Sequence, residues 1–210
     1  IGEMVFGNAR GMKDFAMITL GTGLGSGIVC NDEMVYGHDG FAGEFGHIAV
    51  ASRETGRQCG CGRRGCLEAY VSATGIKRTA FDLMASMTCD SELRSIPYDK
   101  FEAKMLSEAA AKNDPIALEA FERTGKVLGL ALADLTATTS PEAIILFGGL
   151  ANAGDYIMRP TKKYMEENQL MVFKNKVKLL MSGIQDKNVA ILGGAALIWK
   201  QHLEAVIENY

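Results

Sequence analysis

Three cysteines lie within one short stretch of the sequence, CGCGRRGC, at Cys59, Cys61 and Cys66. Thiols crowded in this way are more typical of a metal site than of a disulfide framework. The glycines between them allow the backbone to turn around a single ion. A structural zinc ion takes four ligands, and His47 in GEFGH precedes Cys59 by 12 residues. We therefore predict a structural zinc site formed by His47, Cys59, Cys61 and Cys66.

Two alternatives to zinc stay open, because the three cysteines do not form a paired CxxC pattern. They could be three reduced thiols in a loop, or one strained disulfide with a spare thiol. The other two histidines are less well placed, since His38 lies earlier in the loop and His202 lies on the predicted last helix. Cys30 and Cys89 stand apart from the group, and we predict that they are inert.

Two acidic residues flank the predicted metal loop, Glu44 in AGEFGH and Glu68 in GCLEAY. Folding the loop around an ion would bring their carboxylates near one another. Carboxylate oxygens accept hydrogen bonds, which suits the hydroxyl groups of a sugar. Most glutamates in proteins are solvated surface residues, but the glycine-dense motifs around both of these favour a binding role.

Two glycine-rich turns each follow an apolar run. The first is GTGLGSG at residues 21–27, and the second is Gly148-Gly149 after AIILF. Glycine lets backbone N–H groups approach a phosphate or a nucleotide closely, so the pair predicts a nucleotide cleft, although the first turn could be no more than a flexible hairpin. The sequence has no GxxxxGK[ST] motif, and GTGLG does not lead into a helix. A P-loop is therefore excluded and a dinucleotide-binding Rossmann site is disfavoured.

The elements that position these residues form an α/β pattern of short apolar strands, glycine turns and helices. Asp114 followed by Pro115 is a clear helix start, an N-cap residue with proline in the first turn. The predicted helices cover 72–87, 99–112, 114–137, 155–167 and 193–208, and residues 1–13 have the pattern of a helix end running into a turn. The predicted strands cover 15–20, 28–30, 33–36, 48–51, 143–147 and 177–181.

The overall composition narrows the class of protein. The chain has 210 residues, of which 48% are hydrophobic and 22% charged, as in a globular protein. Its net charge of -3 and scattered basic residues argue against a nucleic-acid partner. No apolar run approaches the roughly 20 residues of a membrane span, and the first residues have no signal-peptide pattern. We therefore expect a cytoplasmic protein with neither nucleic acid nor membrane as a partner.

Together, the segments LGTGLGSGI, AGEFGHIAV, CGCGRRGCLEAYVS and ILFGGL resemble the ROK family, which comprises bacterial glucokinases, related hexose kinases and sugar-responsive transcriptional repressors. The motifs follow the family's order across the chain. The resemblance implies the actin-like ATPase (ribonuclease H-like) fold, in which two lobes close on ATP and a sugar, and a homodimer or homotetramer. Residues 1–210 would form the C-terminal lobe, a mixed sheet packed with helices and a zinc loop at about 44–68, while the N-terminal lobe would lie outside this chain.

The resemblance also implies roles for individual residues. Glu44 and Glu68 would bind sugar hydroxyls, and His47 would bind zinc through one ring nitrogen and present the other to the sugar. The zinc would brace the sugar ligands rather than act as a Lewis acid. The implied nucleotide contacts are the second phosphate-binding loop, with Gly21, Thr22, Gly23, Gly25 and Gly27, and the adenosine turn, with Gly148 and Gly149.

Two family features are not found in this sequence. One is the first phosphate loop, Asp-x-Gly-Gly-Thr. The other is the Asp of an Asn-Asp-Ala-Asn motif that accepts the sugar hydroxyl proton, which would lie just upstream of Ile1, since Ile1-Gly2-Glu3 is similar to the end of that stretch. We therefore assign no catalytic residue within this chain and expect it to be inactive alone.

The leading hypothesis is an ATP-dependent hexose kinase that uses Mg²⁺ and phosphorylates the 6-OH of glucose in carbohydrate metabolism. The alternative is the sugar-sensing domain of a ROK repressor. Three features weigh against the alternative: the intact GTGLGSG, the double glycine after Phe147, and the helix-end pattern of residues 1–10. A catalytically dead binding lobe is a third possibility.

Overall fold

A five-stranded mixed sheet organises the chain. The computed structural model describes residues 1–184 and 192–198. The strand order is β3-β2-β1-β4-β5. The central strand β1 pairs in parallel with β4, with Thr19 opposite Phe147, and antiparallel with β2. The strands are β1 (Phe15–Leu20), β2 (Leu24–Cys30), β3 (Glu33–Met34), β4 (Ala143–Phe147) and β5 (Lys178–Met181).

Helices supply most of the remaining regular structure. The long helix α4 begins where the sequence predicts: the Asp114 carboxylate accepts hydrogen bonds from the backbone N–H groups of Ile116 and Ala117, at 2.9 and 3.0 Å. Pro115 occupies the first turn, where its missing N–H costs nothing. The helices are α1 (Gly2–Phe6), α2 (Ala73–Ser86), α3 (Ala103–Ala110), α4 (Pro115–Thr139) and α5 (Asp155–Asn168), and residues 192–198 are helical as well.

Both faces of the sheet are covered, as the alternation of side chains along β1 explains. Ile18 and Leu20 belong to the main core, which they share with buried residues of α2 to α5 such as Leu132. Phe15 lies on the opposite face, in a small hydrophobic cluster with Ala9, a residue that follows α1 in the chain. The mixed α/β architecture predicted from the sequence is therefore confirmed. No helix in the described ranges is both long and apolar enough to span a membrane.

Several predicted elements differ from the structure. The strand predicted at 28–30 begins at Leu24, as β2. Residues 48–51 do not form a strand; Ala49 makes only an isolated bridge to Cys66. Helix α3 begins at Ala103 rather than at residue 99, because the buried ring of Phe101 first packs edge-on against Phe81 at 5.2 Å. The strand predicted at 33–36 ends at Met34. The end of the last predicted helix, at residue 208, and His202 lie outside the described residues.

Candidate functional site

The four predicted metal ligands lie together. The ligand atoms of His47, Cys59, Cys61 and Cys66 are all within 4.8 Å of one another. His47 Nδ1 is 3.7 Å from Cys59 Sγ, and Cys61 Sγ is 3.7 Å from Cys66 Sγ. All five cysteines are free thiols, so no disulfide competes for these sulfur atoms.

These spacings fit a tetrahedral zinc ion. Zinc bonds of about 2.3 Å to sulfur and 2.0 Å to nitrogen would set neighbouring ligand atoms about 3.5–3.8 Å apart. Three thiolates and one imidazole are also the donor set that structural zinc sites use. The cluster can therefore hold a metal ion, and its occupation by zinc stays a prediction.

The protonation of the thiols depends on where each one lies. Burial raises the pKa of the Cys59 thiol to about 12. The exposed Cys61 has a pKa lowered to about 6, because the backbone N–H and then the guanidinium of Arg63 donate hydrogen bonds to its sulfur. Metal ligands must be deprotonated, so a bound cation would have to displace the proton that burial keeps on Cys59.

His47 presents its two ring nitrogens to different partners. While Nδ1 faces the thiol cluster, Nε2 is 3.6 Å from the carboxylate of Glu44. Glu44 itself is exposed, with 67% of its side chain accessible. This orientation places Nε2 beside the Glu44 carboxylate, so that both could contact one ligand, as the predicted sugar-binding roles require.

Glu68 joins the metal cluster to the first glycine turn. Its Oε2 accepts a hydrogen bond from the backbone N–H of Leu24 at 2.9 Å, and its Oε1 lies 3.5 Å from Cys59 Sγ. A Cβ at Gly23 would sit 2.3 Å from Oε2, so a side chain at position 23 would displace this carboxylate from its place beside the turn. Glu68 thus contacts both the metal ligands and the predicted phosphate loop.

The two glycine turns lie side by side at one edge of the sheet, because they follow the carboxyl ends of the parallel strands β1 and β4. Gly148 has φ +106, and a Cβ there would lie 2.5 Å from Leu20 O. Gly21 and Gly149 face open space instead, where a Cβ would meet no atom of the described residues within 4 Å.

The first turn is shorter than its glycines suggest. Only Gly21, Thr22 and Gly23 form it, and Gly25 and Gly27 lie in β2, paired with residues of β1. Helix α2 holds the turn: the Ala73 N–H donates to Gly21 O at 2.8 Å, and the Thr74 hydroxyl to Thr22 O at 3.1 Å. Within the described residues, the N–H groups of Thr22 and Gly23 have no hydrogen-bond partner.

A cavity of about 190 Å³ opens between these parts. Thr22 from the turn, Glu68, and Cys59 from the metal cluster line it, together with Ser72, Thr74 and Arg78 at the start of α2. The predicted phosphate loop, one predicted sugar ligand and one predicted metal ligand therefore border the same space.

Sequence reasoning missed the arginines that hold the metal loop. Arg53 Nη1 donates to Cys66 Sγ at 3.3 Å. Arg57 donates to Gly75 O and Thr79 Oγ1 of α2, at 3.1 and 3.0 Å. The available signal was that four arginines, at positions 53, 57, 63 and 64, are interleaved with the cysteines, a concentration of fixed positive charge where three thiolates are predicted.

Several known proteins are similar to this chain in sequence and in fold. A sequence model of the ROK family matches residues 1–202. A glucokinase of Halalkalibacterium halodurans is 37% identical over 204 residues, which are 96% of this chain and 61% of that protein. The DNA-binding transcriptional dual regulator NagC of Escherichia coli is 25% identical over 207 residues, 99% of this chain and 49% of the regulator.

A solved structure extends the comparison. The crystal structure of a ROK family glucokinase from Streptomyces griseus, in complex with glucose and AMPPNP, superposes with a TM-score of 0.82 at 32% identity. The match covers 93% of this chain and 64% of that one, so this chain spans less than two thirds of each of these relatives. The fold is the predicted actin-like ATPase fold, and the chain belongs to the ROK family.

Proposed function

We propose that this chain contributes the sugar, zinc and nucleotide contacts of an ATP-dependent hexose kinase, with the 6-OH of glucose as the acceptor. The observation that carries the proposal is the cavity bordered by Thr22, Cys59 and Glu68. A kinase must hold a sugar hydroxyl beside the terminal phosphate of ATP. A space that touches both the predicted phosphate turn and a predicted sugar ligand meets that requirement.

The sugar would bind to Glu44, His47 and Glu68. The 3.6 Å contact between His47 Nε2 and Glu44 gives one edge an acceptor and a ring nitrogen side by side. Glu68 is half-buried and held by the Leu24 N–H, so its carboxylate has a fixed direction. Zinc on His47, Cys59, Cys61 and Cys66 would fix the histidine ring and the loop, which suits a bracing role in substrate binding.

The nucleotide, as its Mg²⁺ complex, would lie along the two glycine turns. Two features support phosphate contact at the first turn: the N–H groups of Thr22 and Gly23, without partners in the described part of the chain, and the open space beside Gly21. Backbone N–H groups in such a turn form an anion-binding concavity. Gly148 and Gly149 would contact the adenosine, and the missing side chain of Gly148 lets the second turn approach Leu20 O closely. Gly25 and Gly27 would contribute through β2.

The group that accepts the sugar hydroxyl proton is proposed to lie upstream of Ile1, in the Asn-Asp-Ala-Asn motif that the family resemblance implies. The match covers 61% of the Halalkalibacterium halodurans glucokinase and 64% of the Streptomyces griseus one, and the remainder of each offers room for that motif. A further lobe and a homodimeric or homotetrameric assembly stay predictions from the resemblance. The 210-residue chain alone is expected to give no turnover.

The second candidate is the sugar-sensing part of a transcriptional repressor, which the similarity to NagC over 99% of this chain favours. A sensor would use the sugar and zinc groups without needing the phosphate turn. Higher identity to the glucokinase, 37% against 25%, and the N–H groups of Thr22 and Gly23, which have no partner among the described residues, favour the kinase.

Phosphoryl transfer by the full-length protein that contains this chain separates the two candidates. ADP release would be measured with glucose, mannose, N-acetylglucosamine and N-acetylmannosamine, each against a reaction without sugar. The kinase proposal expects sugar-dependent turnover, highest with glucose. Absence of turnover with all four sugars, together with DNA binding that a sugar releases, would establish the repressor instead.

A further inference from the structure

The guanidinium of Arg53 contacts three parts of the metal loop at once. Its Nη1 donates to Cys66 Sγ at 3.3 Å and to Arg64 O at 2.8 Å, and its Nη2 donates to His47 O at 3.3 Å. One side chain therefore links the backbone of the histidine ligand to the sulfur of a cysteine ligand that is 19 residues away in sequence.

The net charge of a zinc-bound cluster explains why a cation beside Cys66 would stabilise it. Three thiolates around one Zn²⁺ leave a net charge of about -1 on the ligand set. Cys66 is fully buried, with 0% exposure, so water does not compensate its share of that charge, and a buried charge is costly without a partner. Arginine stays protonated at any ordinary pH, and its planar fork holds several acceptors in fixed directions.

The neighbouring arginines make a graded comparison. Arg63 donates to His47 O at 3.4 Å and faces Cys61, but Cys61 is exposed, so water competes for the contact. Arg64 carries the same charge in the same loop, yet its Nη1 donates to Gly56 O at 3.2 Å, and within the described ranges its guanidinium makes no hydrogen bond to the four ligand residues. Arg53 therefore differs from Arg63 and Arg64 in its contacts, and not in its charge or in the loop to which it belongs.

We propose that Arg53 is a positioning residue of the metal centre, which neutralises the Cys66 thiolate and fixes the His47 backbone relative to it. The inference rests on the proposed zinc centre and is independent of which sugar or reaction the protein uses. Groups of this kind, which contact metal ligands but not the metal, typically contribute 10–100-fold to metal affinity.

The test measures zinc release from the purified protein into the chromogenic chelator 4-(2-pyridylazo)resorcinol. Arg53→Ala should release zinc about 10–100 times faster than the wild type. Arg53→Lys should fall between the two, because it restores the charge without the fork. Arg64→Ala is the matched control and should release zinc at the wild-type rate. Far-UV circular dichroism identifies any variant that fails to fold, and Arg53→Lys then carries the comparison.

A spectroscopic measurement separates positioning from general loosening of the loop. In cobalt-loaded protein, losing the N–H···S contact should shift the thiolate-to-cobalt absorption to longer wavelength in Arg53→Ala and leave it unchanged in Arg64→Ala. Equal release rates and spectra for both variants would overturn the inference while leaving the zinc centre intact. A wild-type protein that holds no zinc would remove the centre itself, and the inference with it.

Discussion

Two regions of this molecule are held together by different means. The sheet and its helices, called here the body, depend on burial: Ile18 and Leu132 have 0% exposure, and Phe121 has 1%. The metal segment, residues 44–68, contains two isolated bridges and one complete short 3-10 turn, Phe45–His47, but neither an α-helix nor a strand. Phe45 and Leu67, near its two ends, belong to the main core, and between them the cysteine cluster and arginine hydrogen bonds hold the loop.

The comparison explains where the candidate chemistry lies. A hydrophobic core stabilises a fold but presents few polar groups to a ligand. The metal segment exposes Glu44 and Cys61, and polar contacts reach both, from His47 to Glu44 and from Arg63 to Cys61. It follows that the two regions should respond to different perturbations, and three variants test this separation.

The largest expected effect is on the body. Phe121 is a buried residue of α4, and its ring stacks on Tyr156 of α5 at 5.8 Å between centroids. Phe121→Ala should lower the free energy of unfolding by about 4 kcal/mol, because a buried ring is replaced by a cavity. Urea denaturation followed by far-UV circular dichroism measures the loss. The control is Leu118→Ala, on the same helix, where the leucine is 39% exposed. It should lower the free energy of unfolding by less than about 1 kcal/mol. If folded Phe121→Ala lost its zinc, the two regions would not be separate.

The next effect is confined to the metal segment. Cys66→Ser removes one of the four proposed zinc ligands. If the binding free energy of a structural zinc site is divided equally among four ligands, each contributes about 3 kcal/mol, so zinc affinity should fall roughly 100-fold. Zinc content should fall, and trypsin should cleave faster after Arg53, Arg63 and Arg64, while the urea midpoint of the body changes little. Cys89→Ser, outside the cluster, should retain the metal. A Cys66→Ser protein with full zinc content would contradict the proposed ligand set.

The same division decides what the sequence could predict. The body follows from local signals: Asp114-Pro115 starts α4 as predicted, and the apolar run at 143–147 forms β4 with the predicted bounds. Such signals act between residues that are close in the chain. The four predicted metal ligands also came together, since their types and spacing restrict the chemistry to few choices.

The rest depends on contacts between distant residues, which composition and spacing do not encode. Residues 48–51 have the composition of a strand, but their backbone pairs with the cysteine loop, where Val50 N–H donates to Gly65 O. Nothing local at Gly23 indicates that its missing side chain makes room for Glu68. The choice between a kinase and a sensor is likewise not settled by local signals, since a glucokinase and a transcriptional regulator match 96% and 99% of this chain.

The smallest of the three effects concerns the residue that joins the regions. Arg57 belongs to the metal segment, yet its guanidinium donates to Gly75 O and Thr79 Oγ1 and pairs with Asp82 at 2.6 Å, all in α2. It also lies over the Tyr70 ring at 4.7 Å. Arg57→Ala should lower the free energy of opening of the metal segment by about 2 kcal/mol. Hydrogen bonds from a charged group are lost there, at a side chain that is only 20% exposed.

The measurement is hydrogen exchange of the backbone N–H groups at residues 56–65, which should speed up in Arg57→Ala while those of α4 stay protected. The control is Asp82→Ala, because Asp82 is 67% exposed and an exposed ion pair contributes at most about 1 kcal/mol. Equal effects of the two variants would mean that the ion pair alone joins the regions. A larger effect of Arg57→Ala would assign the junction to the α2 backbone and Thr79. Since α2 also holds Gly21 and Thr22, that junction would connect the metal segment to the proposed phosphate turn.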